Sequence, residues 1–390
     1  MRKPTRVNHP PRIDLPADNH ALVDPIYQSV KFEFESLAET ERFLRGERPG
    51  YFYTRSGNPT NRQLEQLLAE LQGREDCLVT ASGIGAIAQT LLALTKSGDH
   101  IVSFIEGYNP SRHLIRRVLG RFGVRHSLLP IEDTAALGRA LNAQPVRLVL
   151  FESPTNPITR IADIEALTQA ARAAGALTVM DNTFAGFHQH GEYDVDVFVH
   201  SLTKYASGAG DVLGGAVIAR AELIRAMRSD FATLGGTLDP HAAFLILRGL
   251  KSYFVRYQAQ AASALRIAQH LAAHPAVARV HYPGLPSHPQ HALAARQMRD
   301  FGSIVSFDLA GGEAAARRFA DALELFALTP SLGSGESLIL TAHVLLPREL
   351  DAAEQRISGI TPGTVRLSIG LEDVDDLIED VSQALAAAES

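Results

Sequence analysis

The chain is short of several things, and each shortage narrows what it can be. Its 390 residues include no tryptophan and a single cysteine, Cys77. One cysteine closes no internal disulfide, which fits a reducing, cytoplasmic setting. No window approaches the uninterrupted apolar length of a membrane span, so no membrane partner is expected. An excess of positive charge is missing too. The 37 Lys and Arg against 43 Asp and Glu give a net charge of −6, which argues against nucleic acid or an anionic membrane as the main partner. The start, MRKPTRVNHPPR, is basic and proline-rich but has no apolar stretch behind it, so it reads as an arm and not as a secretory signal. The 15 histidines are scattered. His188 and His190 stand two apart without a third ligand at a recognisable spacing, so they read as loop residues and no metal is expected.

What is present is ordinary soluble globular material, 46% hydrophobic and 21% charged, at a length that suits about two domains. From about residue 60 to 220, apolar runs alternate with alanine- and leucine-rich helical stretches. The runs are CLVT (77–80), HIVSF (100–104), VRLVLFE (146–152), ALTVMD (176–181), VDVFVH (195–200) and VLGGAVIA (212–219). Helical patterns lie between them, as in AIAQTLLALTK, RHLIRRVLGRF, TAALGRALNA and IEALTQAARAAG, with Asp133 placed as an N-cap and Gly175 as a terminator. Continuous apolar strands alternating with helices predict an α/β fold with a mostly parallel, doubly covered sheet. The stretch 242–274 then reads as one long helix spanning two lobes, followed by a smaller α+β unit built on VARVHYPGL, SIVSFDLAG and TVRLSIGLED. The expected division is an arm over 1–59, a large cofactor domain over 60–250 and a small domain over 251–390.

Several stretches carry chemistry-bearing residues. In SLTKYASGAG, Lys204 stands among Ser201, Thr203 and Ser207. A surface lysine needs no such company. An amine that forms a Schiff base with a phosphorylated carbonyl cofactor does, because neighbouring hydroxyls can bind the phosphate. ASGIGAIAQ follows a strand and opens a helix, so the amides near Gly83 and Ile84 could meet an anion, although a tight strand–helix turn explains the glycines equally well. MDNTF ends a strand and puts Asp181 at the sheet edge, where a carboxylate could face a protonated pyridine nitrogen or simply cap a turn. YFYTRSGNPT offers Tyr53 and Arg55 as a hydroxyl and a guanidinium for phosphate, ahead of the main sheet and within reach of a neighbouring subunit. Tyr108, in IEGYNPSR, could stack on a planar ring. Arg366, among Val, Leu and Ile in TVRLSIG, needs a partner, either a substrate carboxylate or an internal acid.

These stretches together resemble the Cys/Met-metabolism family of pyridoxal-phosphate (PLP) enzymes, the cystathionine γ-synthase, cystathionine lyase and methionine γ-lyase group. DPIYQSV, YTRSGNPTN, ASGIGAI, ESPTNP, VMDNTF, HSLTKYASGAGDVLGG, RGLKS, HYPGL, SLGSGESL and VRLSIGLED occur in the family's order from about residue 20 to the C-terminus. The resemblance implies the aminotransferase-like fold (fold type I), PLP as cofactor, and usually a homotetramer of two active dimers. It implies Lys204 as the Schiff-base lysine, Asp181 as the pyridinium partner, Gly83 and Ile84 as backbone phosphate donors, and Ser201 and Thr203 as hydroxyl donors. Tyr53 and Arg55 would bind phosphate in the adjacent subunit, and Tyr108 would stack on the ring and move protons. Asn156 would lie beside the cofactor's 3′ oxygen and the substrate, while Ser331 and Arg366 would hold the substrate carboxylate. Catalysis would rest on Lys204, Tyr108 and Asp181.

The chain departs from its relatives at the substrate's side of this pattern. Asn109 and Pro110 follow the tyrosine where small residues are usual, and Phe52 and Ser56 flank the Tyr-Arg pair where some γ-synthases carry an acid and a second arginine. LILTAHVLLPREL lacks the usual His-Pro and Thr-His pattern, although Glu336 is kept. The leading expectation is a C–S lyase acting on cystathionine or a related sulfur amino acid. The alternatives are a transferase that replaces the γ-substituent of an O-acylhomoserine with a thiol, and a PLP-binding regulatory protein without catalysis.

Overall fold

A computed structural model describes residues 21–346 and 349–389. The opening MRKPTRVNHPPR lies outside the described residues. Seven strands form the larger sheet: β1 (Asp76–Thr80), β2 (His100–Phe104), β3 (Arg125–Leu129), β4 (Leu148–Glu152), β5 (Leu177–Asp181), β6 (Val197–Ser201) and β7 (Gly215–Ala219), in the order β1-β7-β6-β5-β4-β2-β3. Only β7 runs against its neighbours, so the ends of β1, β2, β4, β5 and β6 all emerge at one edge. The central strands are buried on both faces, which is why they read as unbroken apolar runs. One hydrophobic cluster, with Val149, Met180 and Phe198, covers one face, and another, with Leu148, Val179 and Val199, covers the other.

Strand β3 is absent from the apolar runs of the sequence. It is an edge strand, RHSLL, with half-exposed side chains, so its pattern carries little hydrophobic signal. The stretch RHLIRRVLGRF is helical but not uniform: an α-turn over Asn109–His113 passes into a π-turn over Leu114–Val118 and a 3₁₀ turn over Leu119–Phe122. Asp133 caps its helix by accepting from the Ala136 amide at 2.7 Å, and Gly175 takes φ +70° just past the helix Ile164–Ala173.

The second sheet has five strands: β8 (Val277–His281), β9 (Ile304–Leu309), β10 (Ala327–Leu328), β11 (Leu338–Thr341) and β12 (Thr364–Ser368), in the order β10-β11-β12-β9-β8. The long helix expected over 242–274 is two helices, Pro240–Leu250 and Tyr253–Ala273. The region of the break packs closely on the large-sheet side. The backbone at Gly249 lies so close to the turn after Lys204 that a β-carbon there would sit 2.3 Å from the Ser207 carbonyl oxygen. Arg256 Nη2 then donates to the carbonyls of Tyr205 and Gly249, at 2.9 and 3.0 Å, tying the second helix to that turn. This helix bridges two cores, since Tyr253 and Tyr257 belong to the large-sheet cluster while Ile267 and Leu271 belong to the small-sheet one.

Candidate active site

The strand ends and the second sheet enclose a cavity of about 440 Å³. Lys204, Asp181, Gly83, Ile84, Ser201, Thr203, Tyr108, Asn156, Ser331 and Arg366 all line it. Residues from Gly83 to Arg366 are thus brought together as expected. Tyr53 and Arg55, expected in the site of a neighbouring subunit, do not line it. Arg55 donates to the Ala232 carbonyl at 2.7 Å and lies over the Tyr53 ring, 5.6 Å from its centre, outside this cavity.

Lys204 follows the end of β6. Its Nζ donates to Ser331 Oγ at 2.8 Å. Burial, and then the charge of Arg366, lowers the ammonium pKa to about 8. Ser331 holds this position with φ +127°, a conformation that side chains rarely adopt, next to the groups it serves.

Asp181 ends β5. Thr183 donates to Asp181 Oδ1 twice, from its amide at 3.0 Å and its hydroxyl at 2.6 Å. Burial raises the carboxyl pKa and the Thr183 bonds pull it back. Among the described residues no cationic side chain pairs with it. Beside it in register, Glu152 ends β4. Burial first, then the Asp181 charge, pushes Glu152 up to about 8, although its Oε1 accepts from the Asn156 amide at 3.0 Å. Tyr108 is half-exposed to the cavity, and its phenol is raised by burial and by the charges of Asp181 and Glu152.

Arg366 lies on β12, 4% exposed. Nη1 donates to Asn156 Oδ1 at 2.9 Å and Nη2 to the Ser331 carbonyl at 2.8 Å, while the buried Nε has no partner. Burial lowers its pKa to about 10, which leaves it charged at neutral pH. A buried guanidinium with an unpartnered donor, lining the same cavity as Lys204, suits a carboxylate arriving from outside.

The anion cradle is built from backbone. The helix Gly83–Leu94 is capped by Ser82, which accepts from the Gly85 amide with its side chain and from the Ala86 amide with its carbonyl; the cap leaves the Gly83 and Ile84 amides for another acceptor. A β-carbon at Gly83 would lie 2.6 Å from Ser201 Cβ, so only glycine lets this turn meet the end of β6. Thr203 Oγ1 accepts from the Gly214 amide at 3.1 Å, and the Ser201 amide donates to Thr183 Oγ1 at 2.9 Å. An anion cradle, a buried amine and a buried carboxylate lacking a cation are the parts that PLP requires, and the residues present fit it.

The sequence model of the family described as Cys/Met metabolism PLP-dependent enzyme matches residues 8–386. The chain belongs to this family. It is 40% identical to L-methionine gamma-lyase of Pseudomonas putida over 372 residues, 94% of this chain and 93% of that one. It is 38% identical to O-succinylhomoserine sulfhydrylase of Pseudomonas aeruginosa over 366 residues, 93% of this chain and 91% of that one. The crystal structure of cystathionine gamma synthase from Xanthomonas oryzae pv. oryzae in complex with cystathionine superposes with a TM-score of 0.89 at 40% identity, covering 95% of this chain and 94% of that one. The chain is therefore a PLP-dependent enzyme of fold type I, in a family of C–S lyases and γ-replacement transferases.

The sequence argument gave no role to Glu152, Thr183 or Arg112. Glu152 left a signal: ESPTNP begins with an acid at the end of an apolar strand, as MDNTF does. His188 and His190 serve as structural partners, His188 with the Tyr253 hydroxyl at 2.9 Å and Asp300 at 2.8 Å, and His190 with Asn182 at 2.8 Å.

Proposed function

We propose that the chain is a C–S lyase that cleaves cystathionine or a related sulfur amino acid by β- or γ-elimination. The observation that carries this is the meeting, in one cavity, of a buried amine of lowered basicity, a buried acid without a cation and a buried arginine with a spare donor. Lys204 would hold PLP covalently. The Gly83 and Ile84 amides with Ser201 and Thr203 would take its phosphate, Asp181 its ring nitrogen, and Asn156 its 3′ oxygen side. When bound, PLP supplies an electron sink for negative charge developing at the substrate α-carbon.

Arg366, Ser331 and Asn156 bind the substrate's α-carboxylate and orient its Cα–H bond towards Lys204. Lys204, freed when the substrate's amine takes its place on the cofactor, would take that proton with its neutral amine. For γ-elimination a second proton leaves the β-carbon before the C–S bond breaks. Tyr108, kept protonated by its raised pKa, gives a proton to the departing sulfur, so the leaving group departs as a thiol. Hydrolysis then yields ammonia and a keto acid. The arm's exposed apolar residues, Tyr27, Val30 and Leu37, with Tyr53 and Phe52, suit burial against a second copy, where Tyr53 and Arg55 would complete the neighbour's phosphate and substrate site. Two such dimers would form a homotetramer, and the setting would be the cytoplasm. A second reading, γ-replacement of an O-acylhomoserine by a thiol, is supported by the near-equal similarity to the sulfhydrylase and the γ-synthase.

A product assay on PLP-loaded protein with L-cystathionine alone tests the proposal. Pyruvate with homocysteine means β-cleavage, and 2-oxobutyrate with cysteine means γ-cleavage. No keto acid from a protein that visibly binds PLP, with turnover of an acylhomoserine and a thiol, would transfer the assignment to the second reading.

A further inference from the structure

The stretch RHLIRR places Arg112 and Arg116 four residues apart, on one side of the helical segment that follows Tyr108. Neither has a role in the steps above. Arg112 is 5% exposed, and its guanidinium reaches in two directions. Nη1 donates to the Ile105 carbonyl at 2.8 Å and to the carbonyl of Gly107, the residue directly before Tyr108. Nε and Nη2 donate to Glu349 Oε1 at 3.0 and 2.6 Å. Arg116 reaches Glu354 at 3.4 Å, and Arg160, which is paired with Glu106, donates to the Ile357 carbonyl at 2.7 Å. Three arginines from the large-sheet side therefore grip the stretch Glu349–Ser358. Around that stretch, Val344, Leu345 and Ile360 supply the cavity's apolar wall.

We infer that Arg112 is a positioning residue for Tyr108: its guanidinium ties the turn that carries the phenol to Glu349, so Tyr108 is set in place when the Glu349–Ser358 stretch is seated on the cavity. The inference rests on the reading of Tyr108 as the group that protonates the leaving sulfur. A fork-shaped guanidinium can span two backbone carbonyls and a carboxylate at once, whereas a lysine ammonium at the same place keeps the charge without that reach.

The test is a double-mutant cycle on the PLP-loaded enzyme with Tyr108→Phe and Arg112→Lys. Arg112→Lys lowers kcat by roughly tenfold in the wild type and by less than about twofold in the Tyr108→Phe background, because the phenol it serves is already gone. The same fold loss in both backgrounds overturns the inference. Glu349→Gln, a milder change, raises KM by roughly fivefold and speeds amide exchange across Glu349–Ser358. Should Arg112→Lys not fold, the Glu349→Gln and Tyr108→Phe cycle decides: additive losses with unchanged exchange contradict the inference, and non-additive losses with faster exchange uphold it. If Tyr108→Phe keeps full kcat, the inference falls with the role given to Tyr108, while cystathionine cleavage by the wild type still upholds the proposed function.

Discussion

The wall of the cavity on the large sheet and the wall on the small sheet are held in place by different means. On the first, Gly83, Asp181 and Ser201 sit at or just past strand ends of one sheet and meet one another's turns there: Thr183 bonds Asp181 and accepts from the Ser201 amide, and Gly83 packs on Ser201. On the second, Arg366 is held by Asn156, 210 residues earlier, and Ser331 meets Lys204 across 127 residues. The proposed PLP side of the site is thus built by turns at the edge of a single sheet. The proposed substrate side is built where two cores meet, so it depends on how the sheets sit together.

This contrast can be broken or sharpened by substitution. The largest effect is expected at Lys204, which follows a large-sheet strand and bonds Ser331 on the other wall. Lys204→Ala should lower turnover by about a thousandfold or more, measured as keto-acid release. Next, Arg366→Lys should reduce kcat/KM by about a hundredfold, ~2.7 kcal/mol, and leave PLP affinity unchanged. A comparable loss of PLP affinity would erase the distinction between the walls. Tyr53→Phe and Arg55→Ala should each weaken PLP binding by roughly tenfold, as read by cofactor titration. Unchanged affinity in both would mean that the arm does not complete a neighbour's site.

The smallest effect concerns Glu152, and it appears in stability. Its folded pKa, about 8, lies above the ordinary carboxyl value of 4.5, so the folded state holds more protons than the unfolded one between these values. Stability from this group therefore falls as pH rises through that window. Glu152→Gln, which keeps an oxygen for the Asn156 amide, should remove the fall. The variant's Tm should exceed the wild type's by roughly 3 °C more at pH 8.5 than at pH 5, by thermal melting. An equal offset at both pH values would contradict a proton held by Glu152.

The same contrast explains what could be read from the sequence. The strands ending in Glu152, Asp181 and Ser201 are unbroken apolar runs because they are buried on both faces, so the sheet and its functional edge were legible. The helix opening at ASGIGAIAQ and the lysine among hydroxyls were legible as local chemistry. Edge strand β3 was not, because its side chains are half-exposed and carry no clear period. The break at Lys251–Ser252 was not, since the close approach of Gly249 to the Ser207 carbonyl beside it is a contact made only in the folded chain. Arg112 and Glu349, 237 residues apart, left no pairing signal at all.

The most direct measurement is borohydride reduction of the PLP-loaded enzyme followed by peptide mapping by mass. The account predicts one pyridoxyl group, carried by the peptide containing Lys204, and no label on that peptide in the Lys204→Ala variant. Label on another lysine, or no label on a protein that retains PLP, would contradict it.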